Sequence, residues 1–388
     1  MALKICHLIS GDLWAGAESV AFQLLTGLQS RPEVELFVIL LNSGTLRDKL
    51  EKANIAVTVI DEKKRTFLEI AWLAAKMLRT NRPHILHSHR YKEHFLGYLL
   101  SLSLGSATKL VATQHGMPEI YDGTAGFRYR LQNRLSYALL SKKFHKTVAV
   151  SSDIKQAFID QANFNERSLE TIPNGIVIPH ARVFNDRKES FVIGSAGRFF
   201  PVKDYLFMVD VAKEVCAKSD AITFELAGEG PMLSRIRDSI AKYGLERRFL
   251  LKGFIVDIDE FYEGLDAYIN TSIHEGIPMS VLEAMALGVP TIAPRVGGLA
   301  EIVTDGVDGF LIDRRDPALF AEKCLALCLD VKQRKNMAQA ARTKVVERFS
   351  VDRMVTGYLE LYFSVIGHVE AKAKDSGQPE HRSNSPVK

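Results

Sequence analysis

The stretch Ala267-Tyr268-Ile269-Asn270 is followed, three residues later, by His274-Glu275-Gly276-Ile277-Pro278-Met279-Ser280-Val281-Leu282-Glu283-Ala284-Met285-Ala286-Leu287-Gly288-Val289-Pro290 and then by Thr291-Ile292-Ala293. It reads as strand, loop, helix and strand in one run. The first apolar segment suits a strand, Pro278 suits a first helical turn, and Gly288 suits the C-terminal cap. A strand that returns through a helix to another strand is the unit of a parallel sheet covered on both faces.

Working outward, the same alternation fills the chain. Apolar runs at 191–196, 223–227 and 249–252 read as strands, separated by helical patterns at 203–218, 232–243 and 259–264. The first half repeats it, with strand-like runs at 4–10, 34–41, 56–60, 85–88, 109–113 and 147–150. Amphipathic stretches at 17–28, 67–79 and 127–141 lie between them. Asn174-Gly175, Pro179 and the polar run 185–189 punctuate the middle. The expectation is two doubly wound α/β domains, 1–178 and 190–350, facing across a cleft. Ligands in such folds sit beyond the C-terminal ends of the strands, so the cleft is the natural site. A last helical pattern covers 317–368, and the polar segment 371–388 is expected to be disordered.

The bulk properties agree. A chain of 388 residues suits two domains, and 47% apolar with 25% charged residues is the balance of a soluble globular protein. No basic region with a long apolar stretch opens the chain, and the most apolar window, 96–105, is too short for a membrane span. Cys6, Cys216, Cys324 and Cys328 form no Cys-x-x-Cys pair, which suggests reduced, mostly buried thiols and a cytoplasmic location. The net charge of +4 hides an asymmetry: residues 1–188 hold 25 Lys+Arg against 17 Asp+Glu, and residues 189–388 hold 25 against 29. The basic half either faces an anionic partner or carries a solvated excess. Within it, 127–146 interleaves basic and apolar residues. That segment either rests on anionic lipid as a peripheral membrane contact or packs on its own sheet.

Several residues carry chemistry. The amides of Gly276 to Ser280 form a helix N-terminus able to hold a phosphate. Glu275 lies just ahead of it and Glu283 inside the helix, so one carboxylate can face a sugar while the other reaches a ribose. Arg198 and Lys203 follow the strand 191–196, and Lys203 is expected to open the next helix. Cleaving a nucleotide–sugar bond leaves a diphosphate with extra charge, which fixed cations stabilise. Gly11-Asp12-Leu13-Trp14-Ala15-Gly16-Ala17-Glu18 follows the first strand without being a G-x-G-x-x-G, so dinucleotide binding is poorly supported. His115 ends the strand 109–113. His87 and His89 share one face of a strand end and could bind metal, but no carboxylate or cysteine at useful spacing completes a site with them. Asp257-Ile258-Asp259 matches an Asp-x-Asp metal signature, but its place before a helical pattern makes Asp257 an N-cap. Val296-Gly297-Gly298-Leu299-Ala300-Glu301 sits at a strand-to-helix turn where it could touch a donor.

Taken together these segments resemble retaining glycosyltransferase family 4, whose members have two Rossmann-like domains (the glycosyltransferase B-type fold) and a Glu-(seven residues)-Glu signature. The resemblance covers nearly the whole chain. It implies transfer of a sugar from a UDP- or GDP-linked donor to a saccharide or lipid-linked hydroxyl acceptor, with retention and without a metal or other cofactor. By this resemblance Glu275 binds donor-sugar hydroxyls, Glu283 the ribose, and Arg198 and Lys203 the diphosphate. His115 stands near the reacting sugar and acceptor. Gly16 matches a Gly-Gly-x-Glu loop, from which Ala15 or Ala17 departs. Gly276, Ile277, Pro278 and Met279 complete the donor site, the loop 252–255 lies near the base, and a helix at 351–370 crosses back to the first domain. Cell-envelope polysaccharide or lipopolysaccharide synthesis, at the cytoplasmic face of a membrane and without nucleic acid, is the family-level expectation. The rivals are a nucleotide-sugar epimerase or phosphorylase on the same fold, or an inactive nucleotide-sugar-binding subunit.

Overall fold

The computed structural model describes residues 2–12, 14–105, 107–116, 127–162, 164–180 and 190–367, without the side chains of 127–130 and 161–162. The polar run 185–189, the last residues of the expected crossing helix and the segment 371–388 lie outside the described residues.

Seven parallel strands build the first sheet: β1 (Leu3–Ile9), β2 (Val34–Leu40), β3 (Ala56–Val59), β4 (Ile85–Ser88), β5 (Lys109–Gln114), β6 (Lys146–Ala149) and β7 (Leu169–Thr171), in the order β3-β2-β1-β4-β5-β6-β7. Six more form the second: β8 (Phe191–Ala196), β9 (Ile222–Ala227), β10 (Phe249–Gly253), β11 (Ala267–Ile269), β12 (Thr291–Pro294) and β13 (Gly309–Ile312), in the order β10-β9-β8-β11-β12-β13. In both, the order reverses direction beside the first strand, which is the doubly wound pattern. Central strands are buried on both faces, so Ile5, Cys6 and Leu8 of β1 are consecutive or alternate residues and all buried.

Right-handed crossovers put helices Gly16–Gln29 and Thr45–Lys52 on one face of the first sheet. Helices Phe67–Asn81, Tyr91–Leu104, Phe127–Lys143 and Ser152–Ala162 line the other, each packed on the next. The long C-terminal helical pattern is broken into Pro317–Leu329, Val331–Arg348 and Val351–Ile366. The breaks fall at Asp330 and Ser350, whose side chains cap the following helices through the amides of Gln333 and Arg353. Helix Val351–Ile366 packs on helix Gly16–Gln29 of the first half. It is pinned by Val351 N–H to Ile176 O at 2.8 Å and by Ile176 N–H to Phe349 O at 2.9 Å.

Some elements depart from the sequence reading. Strands β7 and β13 and helices Thr45–Lys52, Tyr91–Leu104 and Ser152–Ala162 were not expected. β7 is three residues long and holds only one apolar side chain, and Tyr91–Leu104 is apolar around much of its circumference, so neither shows a clear period. Lys203 does not open a helix. It closes a 3-10 turn, Pro201–Lys203, and Asp204 with φ 44° then caps helix Tyr205–Cys216. Asp257 does occupy the N-cap position of helix Ile258–Gly264, but its side chain makes no capping bond. Pro278 is likewise the N-cap of helix Met279–Ala286 and not its first turn. All four cysteines are free, with Cys6 and Cys324 buried and Cys216 and Cys328 half-buried.

Candidate active site

The loop after β11 delivers Glu275 to the carboxyl edge of the second sheet. Its buried Oε1 accepts hydrogen bonds from Lys203 Nζ at 2.6 Å, Ser272 Oγ at 2.6 Å and Asn270 Nδ2 at 3.4 Å. Burial alone pushes the carboxyl up, but the Lys203 charge and these three bonds outweigh it and hold Glu275 below the usual glutamate range. Lys203 arrives from the loop after β8, so two strand ends meet in one ion pair. Arg198, from the same loop, stacks on Phe200 with 4.8 Å from guanidinium carbon to ring centre. No carboxylate among the described residues lies within ion-pair distance of Arg198, so its charge is open to a ligand.

The backbone under Glu275 is held by the next strand-to-helix turn. Gly298 N–H donates to Glu275 O at 3.1 Å, and a Cβ on Gly298 would lie 1.9 Å from Gly276 O. Only a glycine fits that gap. Gly298→Ala is therefore expected to cost on the order of 2–3 kcal/mol of stability by forcing the Glu275 loop outward, measured as a lowered urea midpoint. By its sequence the Val296–Glu301 turn could touch a donor. In the structure its glycines brace the Glu275–Gly276 backbone, and Glu301 reaches across the cleft.

Helix Met279–Ala286 runs back from this loop and carries Glu283. Tyr262 Oη donates to Glu283 Oε2 at 3.0 Å. Burial, with a smaller push from Asp259, raises the half-buried Glu283 carboxyl to about 7 despite that bond. The two signature glutamates are thus opposite in character, with Glu275 charged and paired and Glu283 poised near neutrality.

The first sheet contributes a row of imidazoles. His7 Nδ1 lies 2.8 Å from His89 Nε2, and His89 Nδ1 lies 3.1 Å from His115 Nε2. His87 Nδ1 meets Tyr362 Oη at 2.6 Å, and its Nε2 meets Thr113 Oγ1 at 2.8 Å. His7, His87 and His89 lie close enough to offer nitrogens to one cation. Those nitrogens are engaged with each other, His115, Tyr362 and Thr113, apart from His7 Nε2. Burial holds His7, His94 and His115 at about 3 and drives His87 and His89 well below the ordinary value. A neutral imidazole is donor at one nitrogen and acceptor at the other, so the tautomers of His7, His89 and His115 are coupled and both bonds of the row run in one direction or the other together.

That cluster sets a pH dependence. A histidine with a depressed folded pKa stabilises the fold above about 6.5, and the stability is lost as pH falls toward its folded value. For each of His7, His87, His89 and His94, all fully buried, this amounts to up to about 1.4 kcal/mol per pH unit below 6.5. Urea titrations from pH 7 to pH 5 are expected to show a steep loss of stability.

The two halves touch at the cleft floor. A Cβ on Gly276 would lie 2.7 Å from His115 O, so a glycine there lets the Glu275 loop approach the end of β5. Asn174 Nδ2 donates to Ile277 O at 2.8 Å. Glu301 Oε1 accepts from Ser152 N–H at 2.7 Å, capping helix Ser152–Ala162 of the other half, and His274 Nε2 lies 3.2 Å from Asp153 Oδ2. Glu275, Lys203, Gly276, Ile277 and His115 are therefore gathered at one place. Arg198 stands on the Lys203 loop with its charge felt by Glu18 of the first half, and Pro278 is the N-cap of the helix that follows Ile277. Gly16 starts helix Gly16–Gln29, and open space surrounds the position of its absent Cβ. Glu18, beside it, is buried and bonded by Arg90 Nη2; it does more than stabilise a first helical turn. Sequence reasoning missed Asn270, Ser272, Tyr262, His7 and Arg90. Asn270 and Ser272 stand at a strand end inside the opening stretch, where polar residues mark a site. Tyr262 and His7 give no local signal because they reach the site from other strands and helices.

Two family models account for most of the chain. The one described as Glycosyltransferase Family 4 matches residues 14–178, and the one described as Glycosyl transferases group 1 matches residues 179–344. The chain belongs to this family: it is a glycosyltransferase of the two-domain, B-type, family 4-like kind. The UDP-Gal:alpha-D-GlcNAc-diphosphoundecaprenol alpha-1,3-galactosyltransferase of Escherichia coli is 24% identical, over 94% of this chain and 97% of its own length. The N-acetyl-alpha-D-glucosaminyl L-malate synthase of Bacillus anthracis is 25% identical over 77% of this chain and 79% of its own. Among solved structures, Anabaena HepE in complex with UDP-glucose superposes with a TM-score of 0.82 at 22% identity, covering 93% of this chain and all of that one.

Proposed function

We propose that this glycosyltransferase moves a sugar from a UDP- or GDP-linked donor to a hydroxyl acceptor with retention of anomeric configuration, in the assembly of a cell-envelope polysaccharide or lipopolysaccharide. The observation that carries the proposal is the Lys203–Glu275 pair, with Lys203 on the same loop as Arg198 and Glu275 just ahead of the N-terminus of helix Met279–Ala286. Lys203 spends one of its three N–H bonds on Glu275 and keeps the others for a diphosphate. Among the described residues the three bonds to the Glu275 carboxyl fall on Oε1, which leaves Oε2 for sugar hydroxyls.

In this reading the bond from the anomeric carbon to the diphosphate breaks while the acceptor oxygen bonds that carbon on the same face. The acceptor proton passes to the leaving phosphate. Arg198, Lys203 and the helix amides stabilise the charge that develops there, which supplies what a divalent metal would supply in other sites. Neutral His115 lies on the acceptor side. The contacts at the cleft floor exclude water from the donor. The relatives support the donor class and a lipid-linked acceptor: the E. coli enzyme's name contains UDP-Gal and a diphosphoundecaprenol. The α linkage in that name is what retention from an α-linked nucleotide sugar produces.

Retention is tested by proton NMR of the first-formed product, with an α coupling from an α-linked donor expected and a β product overturning it. Glu283 gives a second test. Its carboxyl keeps its proton up to about 7, and a ribose diol donates better to the carboxylate. Donor affinity is expected to tighten about tenfold between pH 6 and pH 8, one pKa unit either side of the transition. Glu283→Gln is expected to flatten that dependence.

A further inference from the structure

Helices Phe67–Asn81, Tyr91–Leu104 and Phe127–Lys143 lie side by side as the outer layer of the first sheet. Tyr91 hydrogen-bonds Gln132 of the next helix, and Lys143 lies over the Tyr98 ring. This layer keeps apolar side chains in water. Leu68 is 74% exposed and Trp72 65%, with Phe67 beside them. Leu99 and Leu102 are exposed on the second helix, and Leu131 and Leu135 on the third.

Charge surrounds them with one sign. From 63 to 146 the chain has fifteen Lys or Arg and four Asp or Glu. Of those acids, Glu69 is engaged in capping its own helix with Thr66, and Glu93 is buried against Ser10. Lys63, Lys64 and Arg65 are exposed just ahead of Leu68, and Lys76 Nζ sits 5.8 Å from the Trp72 ring centre. On the third helix Arg134, Lys142 and Lys143 are exposed. No helix among the described residues is long and apolar enough to cross a membrane.

We propose that this three-helix layer is a docking surface for an anionic lipid bilayer, with Leu68 and Trp72 inserted at headgroup depth. Separate apolar side chains interleaved with cations match a headgroup layer, where an indole ring rests and lysines snorkel to phosphate. A protein partner would ask for a continuous apolar centre depleted of charge. The surface is wider than the segment 127–146 singled out by sequence, and Trp72, the most exposed aromatic residue of the layer among those described, lies outside that segment. Each helix begins at the carboxyl end of a strand, on the cleft side. A bilayer held there presents a lipid-linked acceptor to the site proposed above, although the docking itself does not depend on that reading.

The test uses the full chain and vesicles of phosphatidylcholine with and without phosphatidylglycerol, with no nucleotide sugar present. Sedimentation is expected to show at least about tenfold tighter binding to the anionic vesicles, weakening with salt. The double variant Leu68→Ser, Trp72→Ser is expected to bind those vesicles at least about tenfold more weakly at unchanged charge. Brominated lipid is expected to quench the fluorescence of Trp72, with Trp72→Phe as the control. Far-ultraviolet circular dichroism of the double variant establishes that it folds. Equal binding to neutral vesicles, full binding by the double variant, or absence of quenching would each overturn the proposal. A failure of donor binding leaves these readouts untouched, so the two readings fail separately.

Discussion

Glu275→Gln is expected to lower the transfer rate by about a thousandfold and to destabilise the protein together, because one carboxylate serves both purposes. Removing its charge leaves Lys203, Ser272 and Asn270 arranged around a group that no longer balances them. Breaking a buried pair by deleting one partner costs about 3–5 kcal/mol, and the 21% exposure of the Lys203 side chain puts this case near about 3. Loss of a preorganised group at the reacting centre is worth about two to three orders of magnitude in rate. Urea denaturation reads the first effect and initial rates of transfer read the second. A folded Glu275→Gln variant with undiminished transfer would remove Glu275 from the mechanism.

Arg198→Ala is expected to separate those two effects. The guanidinium stacks on Phe200 and, among the described residues, has no carboxylate within ion-pair distance, with Glu18 feeling its charge only from farther off, so its removal should change stability by no more than about 1 kcal/mol. The rate should nonetheless fall by about a hundredfold or more, since a cation aimed at the leaving diphosphate is gone. The loss should appear in kcat as well as in donor affinity, because the diphosphate carries more charge as it leaves than in the bound donor. If Arg198→Ala loses stability as Glu275→Gln does, the residue belongs to the fold and the diphosphate role fails.

Much of the fold was legible because parallel strands buried on both faces are continuous apolar runs. β4 and β8 were placed at their observed bounds, and β1, β9 and β12 within two residues. The losses have physical causes. β7 and β13 are short edge strands without a period, and the 3-10 turn at Pro201–Lys203 interrupts a helical pattern that looks continuous in sequence. At the site, Glu275, Glu283, Arg198 and Lys203 were nominated because one short motif carries each pair. Their supports were not. Tyr262 acts on Glu283 across 21 residues, and His7 reaches His89 across 82, distances that only the folded sheet closes. Nor could the sequence say that Glu301 bridges the two halves, since its turn also resembles a donor contact.

The central claim is that the cleft holds a nucleotide sugar with its diphosphate on Arg198 and Lys203. Thermal unfolding in the presence of individual UDP- and GDP-sugars tests it most directly. At least one of them is expected to raise the melting temperature saturably, by about 5 °C at a hundredfold excess over its dissociation constant. The shift is expected to disappear in Arg198→Ala. Absence of stabilisation by every UDP- and GDP-sugar, or a full shift in the Arg198 variant, would contradict the claim.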